Sequence, residues 1–141
     1  MKASAGFTLG VLWLASAASA QCLKYPPDLA TLTGVAELKI SFGPPGYGED
    51  PAHDSKEPQV LVKLDAPICI QRGTDKDGLE EPEANQRLVT LVSMSGSIKL
   101  RAFVGKRIRV RGTFFHAITG HHHTPLLLDV AKPSDVEVLS Q

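Results

Sequence analysis

Between Ala30 and Phe42 the chain alternates without a break. Leu32, Gly34, Ala36, Leu38, Ile40 and Phe42 fall on one side, and Thr31, Thr33, Val35, Glu37, Lys39 and Ser41 on the other. A period of two cannot give a helix one apolar stripe, so the run predicts a long, half-buried β-strand with its apolar side on a core. Gly34 in its middle predicts a sharp bend of the kind that small closed barrels need.

The same period recurs downstream. Gln59 to Asp65 places Val60, Val62 and Leu64 inward, and Ile68-Cys69-Ile70 continues the apolar run beyond Pro67. Arg87 to Val92 reads as a third strand. Arg107 to Phe115 reads as a fourth, with Ile108, Val110, Gly112 and Phe114 on one face. Leu126 to Val130 reads as a fifth, and Val136 to Leu139 as a short edge strand. Between strands three and four, Ser95 and Ser97 precede Ile98, Leu100, Ala102 and Phe103, and Gly105 follows. That pattern predicts one short helix or helical turn closing a barrel end. The order of elements is that of an all-β, five-stranded OB-fold-like Greek-key barrel, with a thin β-sandwich as the alternative.

Two segments stand outside this pattern. Gly43 to Pro58 is too rich in proline and glycine for regular structure and reads as a long loop, of a length that is commonly functional or mobile. Gly73 to Asn85 is polar and acidic without the spacing of a calcium loop, and reads as a solvated loop.

The N-terminus has the plan of a cleaved signal peptide over residues 1–20: Lys2, an apolar stretch from Gly6 to Ala15, and Ala18-Ser19-Ala20. Residues 21–141 then form a single OB-like domain, exported to the periplasm or secreted. A lipid anchor on Cys22 is disfavoured by Gln21, which stands where a small residue is needed. The apolar stretch is too short to span a bilayer, and no later run is long enough. Cys22 and Cys69, the chain's two cysteines, read in an exported protein as a disulfide. Two free thiols or metal ligands are the alternative. Net charge is zero, and losing Lys2 leaves one negative charge, so a polyanionic partner is not indicated. Arg107, Arg109 and Arg111 alternate with core residues, as an outward, solvated face requires, and only Phe115 shares that face for base stacking. Nucleic acid is therefore not expected.

Four of the five histidines lie between His116 and His123. In an OB-like barrel the loops joining strands one to two and four to five flank the binding face. Tyr47, His53, His121, His122 and His123 are thereby expected around one cleft. His121 and His123 share a face if the segment is extended, and His116 lies across the hairpin. The three could hold zinc or copper, with His53 or a water completing the shell, and an open position would allow a metal-dependent hydrolase. Against this, His116 shares parity with Ile108, Val110 and Phe114, which predicts a partly buried imidazole bonded to backbone. Consecutive histidines also serve as polar turn residues. No serine sits on a nucleophile elbow, and catalytic residues are not assigned.

Several runs carry a resemblance: Cys22-Leu-Lys-Tyr-Pro, Thr31-Leu-Thr-Gly34, Pro67-Ile-Cys69, Val104-Gly-Lys-Arg-Ile-Arg-Val-Arg-Gly112 and Phe115-His-Ala-Ile-Thr-Gly-His-His-His-Thr-Pro125. They resemble a family of small exported bacterial domains of unknown function, sometimes fused to domains similar to LprI-type lysozyme inhibitors. The resemblance implies a non-enzymatic binding module that recognises a protein or glycan of the cell envelope, as an inhibitor or immunity-type partner does. It implies no reaction.

Overall fold

The computed structural model describes residues 21–140. The expected signal peptide lies outside them. Six strands form in the order β1 (Ala30–Phe42), β2 (Lys56–Ile70), β3 (Glu83–Val92), β4 (Arg107–His116), β5 (Leu126–Asp129) and β6 (Val136–Val138). They hydrogen-bond in the order β1-β2-β3-β5-β4-β6, and β1 also pairs with β4. The first five strands therefore close on themselves as an OB-fold-like barrel. The β3–β5 pairing is parallel and the others are antiparallel.

The alternation seen in the sequence builds the core. Leu32, Ala36, Val60, Val62, Leu64, Val89, Leu91, Ile108, Val110, Phe114, Leu126 and Leu128 are all buried in one cluster. Closure requires glycine at position 34, which pairs with Leu64 on one side and Ile108 on the other. A β-carbon there would stand 2.1 Å from the Lys63 carbonyl oxygen. That is a backbone atom which no rotamer can move.

The disulfide joins Cys22 to Cys69. It fastens the start of the described chain to the end of β2, where Leu23 donates to Cys69 O and Gln71 donates to Leu23 O. Next to it Tyr25 is buried, and its hydroxyl donates to the Glu81 carbonyl at 2.5 Å. Burial, then the nearby Glu83, pushes that phenol up to about 12. Cross-linking residues 47 apart stabilises the fold by about 4 kcal/mol on the chain-entropy account.

Between β3 and β4 the expected helical turn is a four-residue 3-10 turn, Leu100–Phe103. Ser95 and Ser97 do not cap it but donate their hydroxyls to Ala131 O, tying this connection to the chain beyond β5. Three expectations need correction. β2 begins at Lys56, within the stretch read as loop, and runs through an irregularity between Lys63 and Ile68. β3 begins at Glu83 rather than Arg87. Finally, the apolar side of β1 is not buried along its length. Leu38, Ile40 and Phe42 are 44, 60 and 36% exposed, because β4 pairs with β1 only as far as Val35. Beyond that point β1 and β2 leave the barrel as a two-stranded arm, from Glu37 to Phe42 and from Lys56 to Gln59, Val60 being the first residue of β2 to pair with β3.

The arginine row faces outward as expected, and each member meets an acid: Arg107 with Asp65, Arg109 with Glu137 at 2.8 Å and Arg111 with Asp135 at 3.6 Å. No helix among the described residues is long and apolar enough to cross a membrane.

Gly34→Ala should lower unfolding free energy by about 3 kcal/mol or more, since backbone must shift to admit the methyl group. Urea denaturation checks this, and a loss below about 0.5 kcal/mol, typical of an unconstrained surface site, would contradict the closure geometry.

Candidate functional site

The loop from Gly43 to Ser55 is built on one buried carboxylate. Asp54 accepts from the backbone N–H groups of Gly46 at 2.6 Å, Gly48 at 2.7 Å and Asp50 at 3.3 Å. This draws the chain into a compact coil and forces Tyr47 to φ 51°, the left-handed region that non-glycine residues seldom adopt. Tyr47 remains 48% exposed, with its ring edge-on to His121 at 6.2 Å between centroids. Gly120 lies beneath that ring, and a β-carbon there would come within 2.8 Å of it. The loop and the β4–β5 hairpin therefore meet at Tyr47, Gly120 and His121. His53 pairs with Asp50 at 2.7 Å inside its own loop and is exposed.

The hairpin turns on a His122 N–H to Thr119 O bond and an Ala117 N–H to Pro125 O bond. Thr124 anchors its return. Its hydroxyl donates to Leu126 O at 2.7 Å and accepts from the Thr90 hydroxyl at 2.8 Å and the Thr90 N–H at 3.2 Å. Thr90 stands between Leu61 of β2 and Leu127 of β5 on the outer side of the barrel. All three are buried, so the hairpin lies over this outer face rather than leaving it open.

Alternation within the hairpin divides the histidines. His121 and His123 point the same way and donate to one carboxylate, Glu57: His121 Nδ1 at 2.5 Å and His123 Nε2 at 2.9 Å. The His123 bond, then the His121 bond, holds the Glu57 carboxyl below the usual carboxylate range. Gln59, two residues along β2, donates its amide to the His121 carbonyl at 2.6 Å. Gly43 closes the other side, where a β-carbon would stand 2.3 Å from Glu57 Oε1. His122 turns the opposite way. Its Nδ1 accepts from the Ile118 N–H at 3.0 Å, and its ring stands edge-on to Phe115. Burial, then the neighbouring His121 and His123, pushes its pKa down, in keeping with a ring nitrogen that must stay unprotonated to accept.

His116 belongs to a different pair. Its Nε2 meets Glu83 Oε1 at 2.7 Å, and its Nδ1 meets Ala117 O at 3.1 Å. It is partly buried, as its parity with Phe114 requires.

Of the residues expected around one cleft, the structure thus brings together Tyr47, His121 and His123. It places His122 against Phe115 and His53 against Asp50. The expected metal set divides: His121 and His123 share Glu57, whereas His116 pairs with Glu83. Among the described residues, no group of three or more His, Cys, Asp or Glu side chains is disposed to hold a metal ion. Sequence reasoning missed Asp54, Glu57 and Glu83. The one available signal was parity: Glu57, Gln59 and Leu61 alternate, so a strand extended back to Lys56 puts all three on its outer side.

A family model described as "Domain of unknown function (DUF4431)" matches residues 88–136. The matched run starts within β3 and takes in β4, the histidine hairpin and β5. No curated protein matches the chain. No solved structure matches it either.

Acid should loosen the hairpin in two steps. The stability contributed by His122 is complete above its ordinary value of 6.5 and is lost as pH falls through its lower folded value. That contributed by Glu57 is complete above 4.5 and is lost further down, as pH falls through its own lowered value. In urea midpoints followed from neutral to acidic pH, His122→Asn, whose amide oxygen can still accept from Ile118, should flatten the first step and leave the second. An unchanged profile would contradict the assignment of the first step to His122.

Proposed function

We propose that the chain is a binding module of an extracytoplasmic compartment, the periplasm or the medium, that recognises a cell-envelope protein through the rim formed by Tyr47 and the histidine hairpin. The disulfide supports an oxidising compartment. The observation that carries the reading is Tyr47: an aromatic side chain left half in solvent, on a backbone held in a costly conformation by Asp54 and backed by Gly120 and His121. A rigid exposed aromatic loses little entropy on binding and is a common energetic centre of protein interfaces. The carbonyl and ring edges of the hairpin, with the exposed Ile118, supply the surrounding polar and apolar contacts.

One observation favours a second reading. His121 and His123 converge on a single carboxylate, and although the three side chains are not disposed to hold a metal ion as they stand, zinc or copper displacing the two imidazole protons would reorient them around itself, in a site that could also activate a water.

Two substitutions test the protein-binding reading without touching the core. Tyr47→Ala should weaken capture of envelope proteins by about 2 kcal/mol or more if Tyr47 is the centre of the interface. Gly120→Ala should do the same by displacing the ring. Both should leave the melting temperature nearly unchanged. An identical set of bound proteins for wild type and both variants would contradict the proposal. Metal content of protein purified without chelator, with melting in added zinc or copper, tests the second reading. Stoichiometric metal and a raised melting point support it, and neither being seen defeats it.

A further inference from the structure

The open edge of the arm carries an inference that does not depend on the Tyr47 rim. Ala36 is the last residue of β1 to reach the β4 side: it donates to Lys106 O at 2.9 Å and accepts from the Gly105 N–H at 2.8 Å. By alternation, the N–H and C=O groups of Leu38, Ile40 and Phe42 point to that same side, where β4 no longer runs. The odd-numbered positions point to β2, as the Gly43 N–H to Ser55 O bond shows. Among the described residues the edge thus presents three residues with unpaired peptide groups, and their side chains are the exposed apolar ones, Leu38, Ile40 and Phe42. Exposed edges are ordinarily guarded by proline, a bulge or inward charges. None interrupts β1 before Pro44.

We propose that this edge pairs with the same edge of a second copy of the chain, antiparallel, about a two-fold axis through Ile40. The residues themselves select that register. With Ile40 facing Ile40, Leu38 faces Phe42, and every residue with free peptide groups faces another, so each pair exchanges two hydrogen bonds. On the outer face Lys39 meets Ser41. A shift one way sets Lys39 against Lys39, a like-charge pair. A shift the other way sets Leu38 against Pro44, which has no N–H to give. The axis is perpendicular to the joined ribbon. The apolar side chains of both copies therefore lie on one side of it and form a single strip, Leu38 beside Phe42 and Ile40 beside Ile40. The histidine hairpin sits on the other side of the arm, at Glu57 and Gln59, and does not obstruct the pairing. Self-complementarity is what a closed two-fold interface requires.

Sedimentation equilibrium over micromolar to millimolar concentrations should show a monomer–dimer equilibrium. Ile40→Lys sets two ammonium groups across the axis and should raise the dissociation constant by about a hundredfold or more. Because Ile40 is exposed, the melting temperature of the monomer should hold. Register is tested by oxidation. Facing α-carbons in such a pair stand about 5.5 Å apart, within disulfide reach. Ile40→Cys should therefore cross-link two chains, while Leu38→Cys, whose counterpart lies about 13 Å away along the strands, should not. A monomer at every concentration overturns the proposal. So does a dimer that Ile40→Lys leaves intact, or one that both cysteine variants cross-link equally.

Discussion

Two imidazoles share one carboxylate at Glu57, and the position of the β1–β2 arm depends on that arrangement. A two-stranded ribbon leaving a barrel has little stability of its own. Among the described residues no strand pairs with the open edge of the ribbon, so its order comes from the face that the hairpin covers. The hairpin between β4 and β5 supplies it: His121 and His123 donate to Glu57, and Gln59 donates to the hairpin backbone. Thr124 fixes the same hairpin to Thr90 on the barrel wall. The hairpin thus bridges the barrel and the arm.

This places each histidine by physical need rather than by membership of a cluster. The rings at positions 121 and 123 face a carboxylate because alternate residues of an extended segment share a side. The ring at 122 must face the other way, and it meets the apolar edge of Phe115, where a neutral ring is favoured. His116, one strand earlier, follows the inward parity of β4 and ends beside Glu83. Closeness in sequence brought four histidines into one motif. The pleat of the chain then sent them to three different partners.

The barrel was legible because alternation, the glycine in β1 and the order of elements all express closure. The outward face of the arginine row and the pairing of Cys22 with Cys69 followed from equally local reasoning. The arm was not legible. Alternation records which side a residue takes, but not how far the neighbouring strand extends, and β4 stops pairing at Val35 while the pattern in β1 continues to Phe42. Pro58 concealed the start of β2. It is accommodated because Ile40, its partner, points its peptide groups to the open side, so no ladder bond is lost at that pair. The carboxylates were hidden by distance along the chain: Glu57 finds its histidines more than sixty residues away, and Glu83 finds His116 across 33. Charged residues in polar segments carry no mark of such partners.

The most direct test of this account is amide hydrogen exchange on the wild type and on Glu57→Ala. If the shared carboxylate holds the arm, exchange should accelerate at the β1–β2 paired amides between Glu37 and Phe42 and between Lys56 and Gln59, and in the hairpin from Ala117 to Thr124, while the barrel strands keep their protection. Unchanged protection in the arm, or a loss spread evenly over the barrel, would contradict it.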